Sequence, residues 1–120
     1  MHKYRSLEAW KRAHEAILVV MRATDAVYHP RARAIFDQLR RAVVSVEANV
    51  VEGYALGTTA LFRRHLRIAT GSAAEAECLS RVAVELGYLS REAGARIEML
   101  LGGSMKAIYG LMRTTIRTGK

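Results

Sequence analysis

The sequence is poor in residues that cross-link or interrupt a chain. Its single cysteine, Cys78, excludes an internal disulfide and favours a reducing, cytoplasmic setting. One proline, Pro30, and nine glycines provide too few turn residues for the many short strands of an all-β fold. Such a composition suits long helices. No apolar run approaches the roughly 20 residues of a membrane helix. The basic start has no apolar segment behind it, so neither a membrane span nor a signal peptide is expected.

The sequence also lacks the patterns that usually carry chemistry in a helical protein. No glutamate has a histidine three residues later, which is the pairing that builds di-iron sites in helix bundles. Cys78 has no CxxC partner, and no phosphate-binding glycine loop is present. The four histidines are scattered, and we interpret His14 as a helix-face residue with a hydrogen-bond partner rather than as a base. We therefore expect a protein that is not an enzyme, with no catalytic, metal, cofactor or small-molecule site.

Positive charge is abundant. Lysine and arginine number 19 against 11 acidic residues, which gives a net charge of +8 and a pI near 10.3. Most of these residues are arginine, whose planar guanidinium suits bidentate phosphate contacts. This balance favours polyanionic partners or acidic protein surfaces. An arginine- and alanine-rich composition also arises from a GC-rich genome, so charge alone leaves both explanations open.

Apolar spacing predicts four helices in one domain over residues 1–120. Their predicted bounds are about 7–28, 31–53, 59–87 and 90–117. In the first, residues three and four apart form a heptad-like seam: Leu7, Trp10, His14, Ile17, Met21, Thr24 and Tyr28. Four amphipathic helices with short connections predict an all-α, antiparallel, up-down-up-down four-helix bundle.

The expected helix ends rest on local chemistry. Ser6, Thr58 or Thr59, and Ser90 are candidate N-caps, and Gly53 is a natural stop for the second helix. Gly102-Gly103 lies inside the fourth helix and weakens it by roughly 1 kcal/mol per glycine. We expect a bend or a loose turn there, with a break as the alternative.

The most specific pattern begins with Gln38-Leu39-Arg40-Arg41-Ala42 and continues with Ser45-Val46-Glu47-Ala48-Asn49-Val50-Val51-Glu52-Gly53. It is followed by Phe62-Arg63, Ile68-Ala69-Thr70-Gly71-Ser72 and Glu75-Ala76-Glu77, and preceded by Leu7-Glu8-Ala9-Trp10-Lys11-Arg12-Ala13. Together these stretches resemble the four-helix-bundle family of 23S rRNA intervening-sequence proteins. The resemblance implies antiparallel bundles that assemble into ring-like homopentamers. Some members are encoded in insertions within 23S rRNA genes, and a related bundle is a nucleic-acid-binding accessory of retroelements. The resemblance implies no active site.

A polar row runs beside the apolar seam of the second helix. Gln38, Ser45, Asn49 and Glu52 follow one another at spacings of seven, four and three residues. Such a row is either a ligand groove or a hydrogen-bonded network that fixes helix register or a subunit contact. We favour the network, because buried polar residues in bundles commonly set register and oligomeric state. Asn49 and Glu52 are expected to be substantially buried, with Arg41 or another arginine as the charged partner.

Six arginines are candidates for contacts with nucleic acid: Arg40, Arg63, Arg64, Arg67, Arg113 and Arg117. Arg63 and Arg67 are four residues apart and therefore share a helix face. The usual alternative is a solvated face paired with nearby acids. Aromatic residues that could stack on bases are scarce, and Phe62 is the only close candidate.

The third helix predicts self-association. Two of its adjoining faces carry small or apolar residues, and the core of a single bundle can bury only part of that surface. The small face is Phe62, Leu66, Ala69, Ala73, Ala76, Ser80 and Ala83, and the apolar face is Leu61, Ile68, Leu79, Val82 and Leu86. We expect a homo-oligomer, a pentamer by the resemblance, that binds RNA or DNA weakly and without sequence specificity. The alternative is a scaffold whose partner is another protein.

Overall fold

The computed structural model describes residues 3–27 and 29–118, and side chains as far as Thr114. After a short 3₁₀ turn at Lys3–Ser6 come α1 (Glu8–Asp25), a second 3₁₀ turn (Pro30–Ala32), α2 (Arg33–Leu56), α3 (Thr59–Glu85) and α4 (Arg91–Thr118). These described residues include no β-strand. The predicted all-α class with four helices is confirmed.

Side-chain contacts show how the helices run. As residue numbers rise along one helix, the numbers of their partners fall along the next, so neighbouring helices are antiparallel. The pairs are Trp10–Glu47 and Thr24–Arg40 for α1 and α2, Asn49–His65 and Gln38–Glu75 for α2 and α3, and Ala9–Ser104 and Glu15–Arg96 for α1 and α4. Short connections of two and five residues join α2 to α3 and α3 to α4. The bundle is therefore up-down-up-down, as predicted.

The centre of α1 differs from the predicted seam. Its fully buried residues are Ala9, Ala13, Ala16 and Val20, together with Thr24. Leu7, Trp10 and Ile17 pack only at the margin of the core. Alanines lie at the centre because α1 and α4 approach closely: the buried Ser104 Oγ donates to the Ala9 carbonyl oxygen across 3.1 Å. A larger side chain would hold the helices apart.

The second helix continues beyond its predicted end. Gly53 is buried inside α2, and the helix ends after Leu56 at Gly57, whose φ of +77° is left-handed. A Cβ on Gly53 would lie 2.6 Å from the Cβ of His65 on α3. Gly53 therefore permits close helix packing, whereas Gly57 supplies the conformation that ends a helix.

The predictions for the helix caps and for Gly102-Gly103 were only partly correct. Thr58 and Ser90 accept hydrogen bonds from Leu61 N and Ala93 N, which confirms both caps. Ser6 is not a cap, because its hydroxyl donates to the Lys3 carbonyl inside the first turn. The helix α4 passes Gly102-Gly103 as unbroken helix, so neither a loose turn nor a break is present. Fully buried flanking residues such as Leu101 and Ile108 stabilise α4 by packing, which outweighs glycine's low propensity.

The described helices do not meet the requirements for crossing a membrane. Not one of them combines the necessary length with sufficient hydropathy.

Candidate nucleic-acid interface

A polar network joins α2 to α3. Ser45 Oγ and Ser72 Oγ lie 2.7 Å apart, and the Asn49 amide donates to the Ser45 carbonyl oxygen at 2.8 Å. The Asn49 Oδ1 then accepts from His65 Nδ1 at 2.9 Å. An amide oxygen can only accept, so His65 Nδ1 is the donor of this bond. The network thus joins Ser45 and Asn49, two of the predicted members, to Ser72 and His65 of α3.

Three predicted members are not in this network. Glu52 is exposed, and Arg41, also exposed, donates instead to Gln38 Oε1 at 2.8 Å. Gln38 in turn donates to Glu75 at 2.6 Å, which forms a separate surface chain. The prediction that Glu52 is buried was wrong, because at that level the residue facing α3 is Gly53. One residue corresponds to about 100° around a helix, so Glu52 is turned to solvent.

A second polar cluster lies between α1 and α2. Glu47 accepts from Trp10 Nε1 at 3.1 Å and lies 3.1 Å from His14 Nδ1. The indole stacks on the imidazole with ring centroids 4.8 Å apart. His14 therefore has a partner, as predicted, and Glu47 is the partner that the sequence did not reveal.

Negative charge is unevenly distributed along the chain. Residues 53–74 and 99–120, called here the acid-free segments, contain no aspartate or glutamate, yet they hold three and four of the 19 basic residues. The antiparallel arrangement places the first half of α3 beside the last half of α4, so the two segments meet. Arg63 and Arg67 of the first segment therefore lie close to Arg113 of the second.

The acid-free segments form a groove between α3 and α4. Its lining contains three of the six candidate arginines, and it encloses about 450 Å³. The lining residues are Arg63, Arg67, Thr70, Tyr109, Met112 and Arg113. Arg67 and Arg113 are exposed, and Arg63 is half-buried with a buried Nε that lacks a hydrogen-bond partner. We call this site the arginine groove.

No acid neutralises the arginine groove within the described side chains, because no ion pair there involves Arg63, Arg67 or Arg113. The next acid along α3 from Arg67 is Glu75, eight residues away or about 12 Å along the axis. That distance exceeds the screening length of about 8 Å at physiological salt. No acid on α3 itself therefore lies close enough to Arg67 to compensate its charge.

The other candidate arginines lie elsewhere. The Arg40 guanidinium is held by Asp37 at 3.2 Å, Asp25 at 3.4 Å and the Thr24 hydroxyl at 3.0 Å, so its charge is already compensated. Arg64 is exposed outside the groove. Arg117 falls among side chains outside the described residues.

The aromatic residue of the groove is not the one that the sequence suggested. Phe62 packs edge-on against Tyr54, with ring centroids 5.9 Å apart, and it does not line the groove. Tyr109 does, and it is 45% exposed. A local signal existed, since Lys106, Tyr109 and Arg113 are spaced three and four residues apart on one face of α4. Its importance emerges only when α3 places its arginines opposite.

The groove offers guanidinium donors and an aromatic surface, which is the chemistry of phosphate and base contacts. Across the described residues, no three histidine, cysteine or acidic side chains are grouped to hold a metal ion. Cys78, the free cysteine, is exposed on α3 away from the groove lining.

Comparisons with known proteins agree with this architecture. The fold is similar to a crystal structure described as a protein with unknown function from the S23 ribosomal protein family, from Bacteroides thetaiotaomicron VPI-5482. The TM-score is 0.79 at 19% identity, over 87% of this chain and 97% of that chain, which establishes likeness of fold alone. No curated protein matches. Residues 5–110 match the sequence model of the family described as 23S rRNA-intervening sequence protein, and neither description names an enzymatic activity. This match spans most of the chain, which belongs to the 23S rRNA-intervening sequence protein family.

Proposed function

We propose that this protein is a non-enzymatic, oligomeric bundle that binds RNA or DNA weakly and without sequence specificity through the arginine groove. The observation that carries the proposal is the convergence of Arg63, Arg67 and Arg113 from two helices, with no ion pair to any of them among the described side chains. Phosphate contacts position a protein on nucleic acid and carry no base information. Non-specific affinities in the range of about 10⁻⁴–10⁻⁶ M are therefore expected at physiological salt.

A salt titration of binding tests the proposal. Wild type is compared with Arg63/Arg67/Arg113→Ala and with a control, Arg22/Arg31/Arg33→Ala. The control residues are exposed at the opposite end of the bundle and lower the net charge by the same amount. Each phosphate contact contributes about 0.9 to the log–log slope for duplex DNA, and about 0.7 for single strands. The groove variant should lose about 2–3 in slope, and the control should lose much less.

Equal losses for the two triple variants would show that net charge alone drives binding and would refute the groove. Wild type that fails to bind even at about 50 mM salt would refute nucleic-acid binding altogether. The scaffold alternative would then explain the protein better.

We also infer that the chain assembles with itself, as a pentamer by analogy with the family. The small face of α3 is consumed in the core, where Ala69, Ala73 and Ala76 are fully buried. Its apolar face is only partly covered: Leu79 packs against the core, whereas Ile68 and Leu86 are exposed to 43% and 56%. Exposed apolar surface of this kind usually marks an interface, and it also favours the scaffold alternative.

Self-association would leave the arginine groove open. Arg67 and Ile68 are adjacent residues and thus point about 100° apart around α3. Light scattering at micromolar concentration tests the assembly, with Ile68→Glu compared with Leu18→Glu, an exposed apolar residue on α1. Only the Ile68 variant should dissociate. A monomeric wild type would overturn the inference.

A further inference from the structure

The aromatic ring in the arginine groove has no role in a purely electrostatic site. Tyr109 presents nearly half of its surface to solvent beside Arg63 and Arg67, and Met112 extends the apolar floor. Phosphate contacts would be served equally well by an aliphatic residue there. Stacking of a base on an aromatic ring is worth about 1–3 kcal/mol by alanine substitution, and it tolerates any sequence.

An exposed ring discriminates between single and double strands. In a duplex the base faces are stacked on one another, and only phosphates, sugars and groove edges are accessible. An unpaired base can leave the strand and lie on the ring while its phosphates reach the arginines. The groove volume of about 450 Å³ falls in the range of about 300–1,000 Å³ typical of small-ligand sites. An unpaired nucleotide is therefore of a suitable size for the groove.

The hydrogen-bonding capacity of Thr70 indicates which sugar, ribose or deoxyribose, the groove would favour. Its hydroxyl already donates to the Leu66 carbonyl oxygen at 3.0 Å, so its oxygen can only accept from a ligand. The three arginines of the lining can only donate. A ribose 2′-hydroxyl is a donor that deoxyribose lacks, and it distinguishes RNA from DNA at a given site. Thr70 is thus matched to RNA.

We propose that the arginine groove holds an unpaired RNA nucleotide. The base stacks on Tyr109, the flanking phosphates lie on Arg63, Arg67 and Arg113, and the 2′-hydroxyl donates to Thr70. The inference rests on the proposed nucleic-acid binding and adds the class of ligand, which is single-stranded RNA.

Fluorescence anisotropy with labelled probes of equal length tests the assignment. The probes are single-stranded oligouridine, the corresponding oligodeoxyuridine and an RNA duplex, all at one low salt concentration. The variants are Tyr109→Leu, which removes the ring, Tyr109→Phe, which keeps it, and Thr70→Val, which keeps the shape of the side chain but not its oxygen. Thermal melting by circular dichroism establishes that each variant is folded.

Tyr109→Leu should weaken single-stranded RNA binding by about 5- to 150-fold and leave duplex binding unchanged, whereas Tyr109→Phe should bind as wild type does. Thr70→Val should lower RNA affinity severalfold and bring it close to that of the DNA strand. Wild-type affinity in Tyr109→Leu, with binding still lost in Arg63/Arg67/Arg113→Ala, would overturn the stacking while the proposed function stands. An RNA-to-DNA ratio unchanged by Thr70→Val would overturn the assignment to RNA. Absence of binding by wild type to every probe would overturn both proposals.

Discussion

Replacing Gly53 by alanine tests how closely α2 and α3 approach each other. A Cβ at this position would lie 2.6 Å from His65 Cβ and 3.2 Å from Phe62 Cδ1. Carbon atoms in favourable contact are about 3.5–4.0 Å apart, so the first distance is about 1 Å too short. The obstructing atom is the Cβ of His65. Its position is fixed by the backbone, so no side-chain rotation moves it away. The helices must therefore separate locally.

The expected magnitude combines three contributions. Alanine is the better helix residue by about 1 kcal/mol. Overpacking of this kind typically costs about 1–3 kcal/mol. Separating the helices would also lengthen the Asn49–His65 hydrogen bond from 2.9 Å, at a further cost of about 1 kcal/mol. Gly53→Ala should therefore destabilise the fold by about 1–3 kcal/mol.

Gly71→Ala is the matched control. Gly71 is also helical, in α3, but no atom lies within 4 Å of its added Cβ. Only the propensity contribution remains, so this variant should be stabilised by about 1 kcal/mol. With about 2.1 cal/mol/K of unfolding entropy per residue, 1 kcal/mol corresponds to about 4 °C in a chain of 120 residues.

Calorimetry at one fixed protein concentration measures both variants. Gly53→Ala should melt about 4–12 °C lower than wild type, and Gly71→Ala about 4 °C higher. The reasoning would be refuted if both substitutions raised the melting temperature equally, since α2 and α3 would then have room for a methyl group at Gly53.

Three further predictions concern hydrogen bonds and use urea denaturation. Asn49→Ala should cost about 1–3 kcal/mol because it removes the hydrogen bonds to Ser45 and His65, each worth about 0.5–1.5 kcal/mol, whereas Glu52→Gln should change stability by less than about 0.5 kcal/mol; similar losses would contradict the network as described. Ser104→Ala should cost about 0.5–1.5 kcal/mol through the lost bond to the Ala9 carbonyl, and wild-type stability would show that this bond contributes nothing. Thr58→Ala should lose about 0.5–2 kcal/mol with the α3 cap, and a null effect would mean that the cap is dispensable.

Features set by local chemistry could be predicted from the sequence. Thr58 and Ser90 cap their helices because a hydroxyl before an amphipathic run reaches an amide three residues later. Pro30 begins a helical turn because its fixed φ and missing N–H suit that position. The family pattern at residues 38–53 depends on residue identity and order alone. For these reasons the all-α fold and the family were both accessible before any coordinates.

Features set by helix phase and tertiary contact could not be predicted. The spacing of the large apolar residues predicted that Trp10 and Ile17 lie at the centre of the buried face of α1. In the structure alanines lie there, because α1 packs closely on α4. In α2 the predicted buried face was also displaced by one residue, so Glu52 was expected to be buried where the structure buries Gly53. The groove was only half visible, because Tyr109 and Arg113 are more than 40 residues from Arg63, and no local pattern states that α3 and α4 meet there.

The arginine groove has a thermodynamic consequence through its two walls. Each wall belongs to a different acid-free segment, so the full set of arginines exists only while α4 is docked on α3. A ligand that binds the docked state alone stabilises it by RT ln(1 + [L]/Kd), which is about 2.7 kcal/mol at a hundredfold excess over Kd. Bound RNA should therefore slow hydrogen exchange in the last turns of α4 more than at the opposite end of the bundle. Ligand occupancy would in this way govern how tightly the last turns of α4 are held against α3.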